Sequence, residues 1–422
     1  MNIHATPQHT TAEAALIEAF GERLSLLPGD GEVMVRRDAA VEALKAGLPT
    51  RRVEAWHYTD LRRLLTTVPT HDETANAKPI AALLEGSVVL PALNGASASK
   101  LPSIEGVAIQ RLSEKLADGS FAAALDLGGA DDAIGALNTA FVTDGYFVDI
   151  AAGMQLPTPL ELQNVQAGGQ VHARFPVRVG AGAKATIVER QTGNGAALVS
   201  SVSQLLLGEG AEVLWLIVQD HPESATHLAQ FKAELGKDAK LTLFIMNAGG
   251  KLVRQEVIVN AAGEGSVFTL RGVNLLAGDN HTDVTMVLDH SVPHTDSTEV
   301  IRNVITDRAH GVFQGRINVA QPAQKTNAKM ACNTLLLSDD AEFSTKPELE
   351  IFADDVQCGH GATVTDIHRD HLFYLMARGI DEKTARGLLV KAFLAEVIEE
   401  LEDEPAVEAL EALLGDWFQA HG

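Results

Sequence analysis

The chain has 422 residues, enough for two to four domains or one elongated one, with 33 Lys and Arg against 56 Asp and Glu for a net charge of −23. That acidity argues against nucleic acid as the main partner, because phosphate neutralisation needs clustered Lys and Arg. Two cysteines, Cys332 and Cys358, are too few for a disulfide framework, a structural zinc site or a cluster held by the usual four thiolates.

The first 65 residues read as helical. Ala14, Ala15, Ile17, Phe20, Leu24 and Leu27 recur near helical spacing and stop at Pro28-Gly29-Asp30-Gly31. A second helix is predicted from Asp38 through Val41 and Leu44, ending at Gly47 in a left-handed C′ position with Pro49 beyond. Arg23 is the first basic residue, and Glu13 and Glu18 interrupt the apolar ones, so the start does not read as a signal peptide. No apolar run reaches the roughly 18 residues of a membrane helix, and the expected setting is the reducing cytoplasm. From Thr66 to Ser97, the cluster His71-Asp72-Glu73-Thr74 followed by Pro79 reads as a linker, so residues 1–97 are expected to be a helical region and its linker.

Beyond Ala98, helical periodicity gives way to short β-rich runs punctuated by Gly, Asn, Asp and Pro. Tyr146–Ile150, Thr186–Glu189, Glu212–Val218, Leu241–Ile245 and Ser266–Leu270 read as strands of about five residues. A turn unit recurs at Gly180-Ala181-Gly182-Ala183, Gly193-Asn194-Gly195-Ala196, Gly208-Glu209-Gly210-Ala211 and Gly263-Glu264-Gly265-Ser266. Each would allow positive φ between strands. Its starts lie 13 and then 15 residues apart before becoming irregular, which leaves a β-solenoid and a pair of large sandwiches both open.

The last zone is helical again. Asp366 is a candidate cap for a segment with Leu372, Phe373, Leu375 and Met376 that stops at Gly379. Asp381 caps the next, whose stripe runs from Ala385 through Leu388, Leu389, Ala392, Phe393 and Val397 to Leu401. Pro405 then opens a final helix. Nine acidic residues and no Lys or Arg follow Lys391, as expected of a solvated acidic face or of a docking surface for a basic partner.

Catalytic motifs are missing. Gly249-Gly250-Lys251 is followed by Leu252, and Ile245 stands where a P-loop would begin, so no phosphate cradle forms. There is no nucleophile elbow and no H-E-x-x-H helix. Pro293 disfavours a shared helical face for His290 and His294, which read as loop hydrogen-bonding residues, and His368 and His371 read as capping or exposed. Cys358 and His360 stand out in the run Leu349 to Thr363. Two residues apart on an extended strand they share a side, and both are soft or borderline donors for iron, copper or zinc. Asp354 and Asp355 face opposite ways and make a poor acid/base pair.

These residues carry a resemblance. Gly47-Leu48-Pro49-Thr50-Arg51-Arg52 leading through Glu54-Ala55-Trp56 to Tyr58-Thr59-Asp60-Leu61, Asp289-His290 with Pro293-His294-Thr295, and Gly311-Val312-Phe313-Gln314-Gly315 form its first part. Ala323–Ala328, Leu335–Ser338, Thr345–Ile351, Ala353–Thr363 and Leu372–Leu375 with Arg378-Gly379-Ile380 complete it. Together they are similar to the SufB/SufD family, on its SufD side, of scaffold subunits in the Suf system of iron–sulfur cluster assembly. The resemblance implies a mainly β fold: a right-handed parallel β-helix core (98–360) flanked by N-terminal and C-terminal α-helical domains, the latter (361–422) docking the ATPase SufC. It implies pairing with SufB through the β-helices, a homodimer being possible without SufB. ATP would be handled on SufC, and this chain would be non-catalytic with no cofactor of its own. The family's interfacial histidine falls on His360 beside Cys358, which implies a nascent cluster or iron shared there with a cysteine of SufB. Two residues depart from the SufD pattern. Cys332 stands where SufB-like sequences carry a cluster-building cysteine, and Gly359 where the family often has Ser. Cys332 reads first as a small buried residue, with a SufB-like chain nucleating its own cluster as the alternative. A polysaccharide-active β-helix enzyme is the alternative of a different class.

Overall fold

A computed structural model describes residues 9–72 and 75–421. Residues 1–8, read above for a leader, and Glu73 and Thr74 of the predicted linker lie outside the described residues. The core is a parallel β-helix of two sheets. A ten-stranded and a nine-stranded sheet face each other, and consecutive strands from Asp144–Ile150 onward alternate between them. Each turn therefore adds one strand to each sheet. Stacked residues stay in register, as in Thr226, Leu252, His281, His310 and Glu342. Inward-facing Phe175, Phe231, Val257 and Met286 belong to one continuous apolar core that fills the lumen. Room there is tight: a Cβ on Gly315 would lie 2.4 Å from the sulfur of Met330, so a larger residue would force Met330 and Phe313 to shift.

The strands run seven to eleven residues over most of the solenoid, longer than the five predicted. Charged outward positions, such as Arg254 and Glu256 within Leu252–Ala261, had broken the apolar runs on which the expectation rested. The corners explain the irregular turn spacing. Gly182, Gly210 and Gly265 do adopt positive φ, at 65°, 63° and 75°. Gly193 and Gly195 belong to the opposite corner, so the 13- and 15-residue spacings are two halves of one turn. Between Gly208 and Gly263, Asp238 takes the left-handed place at φ 53° and hides the repeat from a glycine search. A ladder of amides stacks along one inner corner: Asn247 donates to Asn274 (2.8 Å) and Asn274 to Asn303 (2.7 Å). Asn303 in turn donates to the Cys332 sulfur (3.3 Å) and Thr334 (2.9 Å).

Three further differences from the sequence reading concern the N-terminal third. The second helix spans Gly31–Lys45 and starts at Asp30, whose carboxylate caps Val33 N–H, so the supposed stop signal is partly a start. The stretch read as linker holds Val88–Leu93, which pairs parallel with Leu160–Gln166. Pro91, the residue that spoils the strand pattern, sits near the end of the sheet where strand pairing runs out. Ala133–Phe141 is a helix inside the β zone, capped by Asp132 and buried along eight of its nine residues. Its all-round apolar sequence suits a helix wedged between Gly31–Lys45 and the nine-stranded sheet.

Both outer faces are covered. The segment after Gly47, whose φ is 108°, crosses the nine-stranded sheet and inserts Trp56 beneath Arg254, 3.8 Å from guanidinium to ring. Arg254 also pairs with Asp283 at 2.5 Å, both side chains fully buried. On the other face, helices Glu382–Glu399 and Glu404–His421 bury Val390, Leu394, Leu410 and Leu414 against Val188, Leu216, Phe244 and Val273 of the ten-stranded sheet. Asp381 caps the first of these as predicted, while Asp366 lies ahead of a helix, Arg369–Met376, that has no side-chain cap.

Part of the acidic tail is spoken for. Glu396 accepts from Arg302 (2.8 Å) and Glu400 from Arg271 (2.5 Å), and Asp403 caps the last helix at Ala406 N–H. Arg302 also lies over the Phe393 ring at 4.6 Å. Replacing Arg302 by alanine is expected to weaken helix docking by about 1 kcal/mol, the pair being partly exposed. An Arg302/Glu396 double-mutant cycle with no coupling would contradict this. Among the described residues no helix is long and apolar enough to cross a membrane.

Candidate functional site

The two ends of the solenoid differ. At its start the short strands Ala96–Ser97 and Val107–Arg111 add antiparallel to Val88–Leu93 and Asp144–Ile150, one to each sheet. At its far end Gln357–Thr365 and Glu342–Ile351 are the edge strands of the two sheets, with free backbone groups on their outer sides. Most of their side chains are exposed or half-buried. Phe352, at the corner between them, is 66% exposed. Lys325 pairs with Asp355 across this corner.

Cys358 and His360 lie on the last strand. In-register pairing sets Cys358 over Ala328 and His360 over Met330. Ala328 and Met330 belong to the luminal core, and Cys358 packs against it half-buried. The sequence expectation that thiol and imidazole share a side therefore corresponds to the luminal side, and His360 stands exposed at the rim. Burial and the nearby Glu299 charge raise the Cys358 thiol. Cys332, one strand further in beneath Ala362, is fully buried. Burial pushes its thiol up to about 12 although Asn303, Thr345 and Thr334 hydrogen-bond it, which keeps it protonated at neutral pH.

The other histidines divide. His290 is buried inside the solenoid, bonded to Thr295 (2.7 Å) and Ser297 (3.3 Å). His294 turns the next corner at φ 57°, so no shared face exists. His368 and His371 are exposed, their ring centroids 4.8 Å apart, and His368 caps nothing with its side chain. Sequence reasoning missed Ser297, Glu299 and Asn303, which line the lumen two strands below Cys358, His360 and Val364. The available signal was a period-two alternation of Ser297, Glu299, Ile301 and Asn303, in which an acid occupies an inward place. Among the described residues no three His, Cys, Asp or Glu side chains gather closely enough to hold a metal ion. The rim thus offers an incomplete donor set beside unpaired strand edges.

A family model described as the SufBD core domain of SUF system FeS cluster assembly matches residues 162–393, more than half of the chain. The chain belongs to the SufBD family. The match contains Cys332, Cys358 and His360, and runs from the second long strand of the ten-stranded sheet into the first docking helix. Among relatives, the iron–sulfur cluster assembly protein SufD of Escherichia coli (strain K12) is 28% identical over 390 residues, spanning 89% of this SufBD chain and 90% of that protein. The iron–sulfur cluster assembly SufBD family protein slr0076 of Synechocystis is 32% identical over 281 residues, or 63% of this chain and 62% of that one. The chloroplastic protein ABCI7 of Arabidopsis thaliana is 26% identical over 418 residues. The parallel β-helix settles the choice between solenoid and paired sandwiches.

Proposed function

We propose that this SufBD chain is a non-catalytic scaffold subunit that pairs its open solenoid end with a SufB partner and holds iron or a nascent iron–sulfur cluster between the two chains. The observation that carries this reading is the placement of Cys358 and His360 on the luminal side of an unpaired edge strand. Two donors cannot hold a cluster, but a second chain adding its own strand and thiolate completes both the sheet and the ligand set. The free edges are an interaction template, and a second copy of this chain is the fallback occupant.

The C-terminal helices are the proposed seat of the ATPase SufC, which would supply the ATP hydrolysis. Phe373 is 73% exposed there, with Tyr374, Met376 and Leu388 also in solvent, an apolar group of the kind that marks a docking surface. Movement of these helices would reach the solenoid through Arg271 and Arg302 and open the paired rim to iron and sulfide. Cys332, buried and protonated, serves lumen packing in this reading. The two free thiols suit a reducing cytoplasm.

Co-expression with SufB and SufC tests the proposal. His360→Ala and Cys358→Ser are each expected to slow cluster formation on the complex by about tenfold or more while leaving its assembly intact. A His360→Ala complex that builds clusters at the normal rate would sink the assignment. Reconstitution that depends on Cys332 instead would favour a chain that nucleates its own cluster.

A further inference from the structure

Asparagine is followed by glycine twice in the chain, at Asn94-Gly95 and at Asn194-Gly195. An asparagine amide is chemically weakest there, because glycine has no side chain to shield its backbone nitrogen from the neighbouring amide carbon. The fold treats the two pairs in opposite ways.

Asn94-Gly95 forms the tip of the hairpin between Val88–Leu93 and Ala96–Ser97, with φ of 49° and 79°, as a two-residue turn of this hand requires. Its amide is held at both ends. Asn94 Oδ1 accepts from the Ala167 N–H (2.8 Å), and Nδ2 donates to the Ala75 carbonyl (2.8 Å). Turning the amide carbon onto the Gly95 nitrogen would break both of these half-buried bonds.

Asn194-Gly195 lies in the corner between Lys184–Gly193 and Ala197–Leu207. Asn194 is exposed beside an open surface pocket that residues 76–80 also line, and its side chain makes no hydrogen bond among the described residues. Its own N–H donates to the Gln166 carbonyl (3.1 Å), whereas the Gly195 N–H has no acceptor among the described residues. Glycine is nevertheless fixed at this place. A Cβ on Gly195 would lie 2.9 Å from the Ala167 carbonyl oxygen and from the Gly168 Cα, both backbone atoms of the corner one turn away. A side chain would push the two corners apart, so the stacking of the solenoid keeps the labile pair in the sequence.

We propose that Asn194 is a site of spontaneous deamidation in the folded protein, with water as the co-reactant, and that the fold protects Asn94 from the same reaction. The Gly195 nitrogen, giving its proton to base, attacks Asn194 Cγ. A nitrogen–carbon bond forms there, the bond from Cγ to the side-chain amide nitrogen breaks, and ammonia leaves. Water then opens the resulting succinimide at one of its two carbonyls, giving aspartate or isoaspartate at position 194. One water is consumed, one ammonia is released, and the net charge of −23 becomes more negative by one. Isoaspartate also inserts a carbon into the main chain of a corner with little slack. The Gly195 carbonyl there accepts from the Gln166 amide (3.1 Å) and the Ala196 carbonyl from the Gly169 N–H (3.0 Å).

Ageing the full chain in mildly alkaline buffer tests the site, with peptide mapping by mass and parallel counting of isoaspartate and released ammonia. Asn194 is expected to convert at least about tenfold faster than Asn94, whose amide is freed only by local opening. Asn194→Gln is expected to abolish the fast phase and to fold as the wild type does, since the side chain is exposed. In urea the two pairs are expected to convert at comparable rates. Equal rates at the two positions in the folded chain, or conversion of Asn194 only after unfolding, overturns the inference. A rate difference that persists in urea belongs to local sequence and overturns the protective role of the Asn94 hydrogen bonds. Conversion of Asn194 without any isoaspartate overturns the attack by the Gly195 nitrogen in favour of direct hydrolysis.

Discussion

Asp283→Ala is expected to cost about 3–5 kcal/mol of stability, because it strands a buried guanidinium. Arg254 and Asp283 are both fully buried, 2.5 Å apart, on neighbouring strands of the nine-stranded sheet. The same carboxylate accepts from Thr59 and from Thr285 (2.9 Å), and Arg254 donates to the Ala55 carbonyl (2.8 Å) and lies over Trp56. The pair therefore fastens the segment between Gly47 and Leu65 onto the solenoid. Without Asp283, Arg254 keeps Glu256 (2.9 Å) as its one ion-pair partner. Urea unfolding checks the loss, and faster proteolysis of residues 49–65 checks its location. Arg254→Met is expected to destabilise comparably, and the double variant by less than the sum, since both charges are then gone. A loss under about 1 kcal/mol for Asp283→Ala would show that the contact does not anchor the segment.

Acid should unfold this protein well above the pH at which ordinary carboxylates protonate. Burial lowers His221 to about 3 and His281 and His290 to about 4, and sends His172 and His227 well below the usual imidazole range. Their neighbours do not reverse this. Arg23, His71 and Arg37 face His172 and lower it further, His221 lowers His227, and the nearby Asp283 raises His281 only in part, as Asp289 and Asp296 do for His290. Between pH 6.5 and about 4 the unfolded chain therefore binds more protons than the folded one, so stability falls as the pH falls. Each unit of depression is worth about 1.4 kcal/mol, against a typical total stability of about 5–15 kcal/mol. On the alkaline side the sign reverses: Glu299, at about 8, and Glu189, also raised by burial, favour the folded state less as the pH climbs from 4.5 through 8. Urea midpoints measured from pH 8 to pH 4 should pass through a maximum near neutrality and collapse before pH 4. A flat profile between pH 7 and 5 would mean that these histidines are hydrated rather than dry.

Much of the architecture was legible because local chemistry repeats along the chain. Asp381 caps its helix through a contact three residues away, and Gly47, Gly182 and Gly379 take the left-handed backbone that glycine permits. The pairing of Cys358 and His360 was legible as well, since a strand sends alternate side chains to one side wherever it lies. Such features depend on neighbours within a few residues, and the sequence contains those neighbours.

What stayed hidden depends on residues about one solenoid turn apart or further. Glu299 looks like one polar residue among Ser297, Thr298 and Arg302 until the strands at Leu270 and Met330 close over it. The acidity of the tail read as a free surface until Arg271 and Arg302 claimed Glu400 and Glu396. The count of two cysteines excluded a cluster held by this chain alone. Only stacking in register shows that one of them, Cys332, is sealed in the core while Cys358 stands at an open rim. Sequence sets which side of a strand a residue occupies. Tertiary structure decides whether that side is dry, paired or open, because solvent exclusion is a property of the assembled layers and not of any one of them.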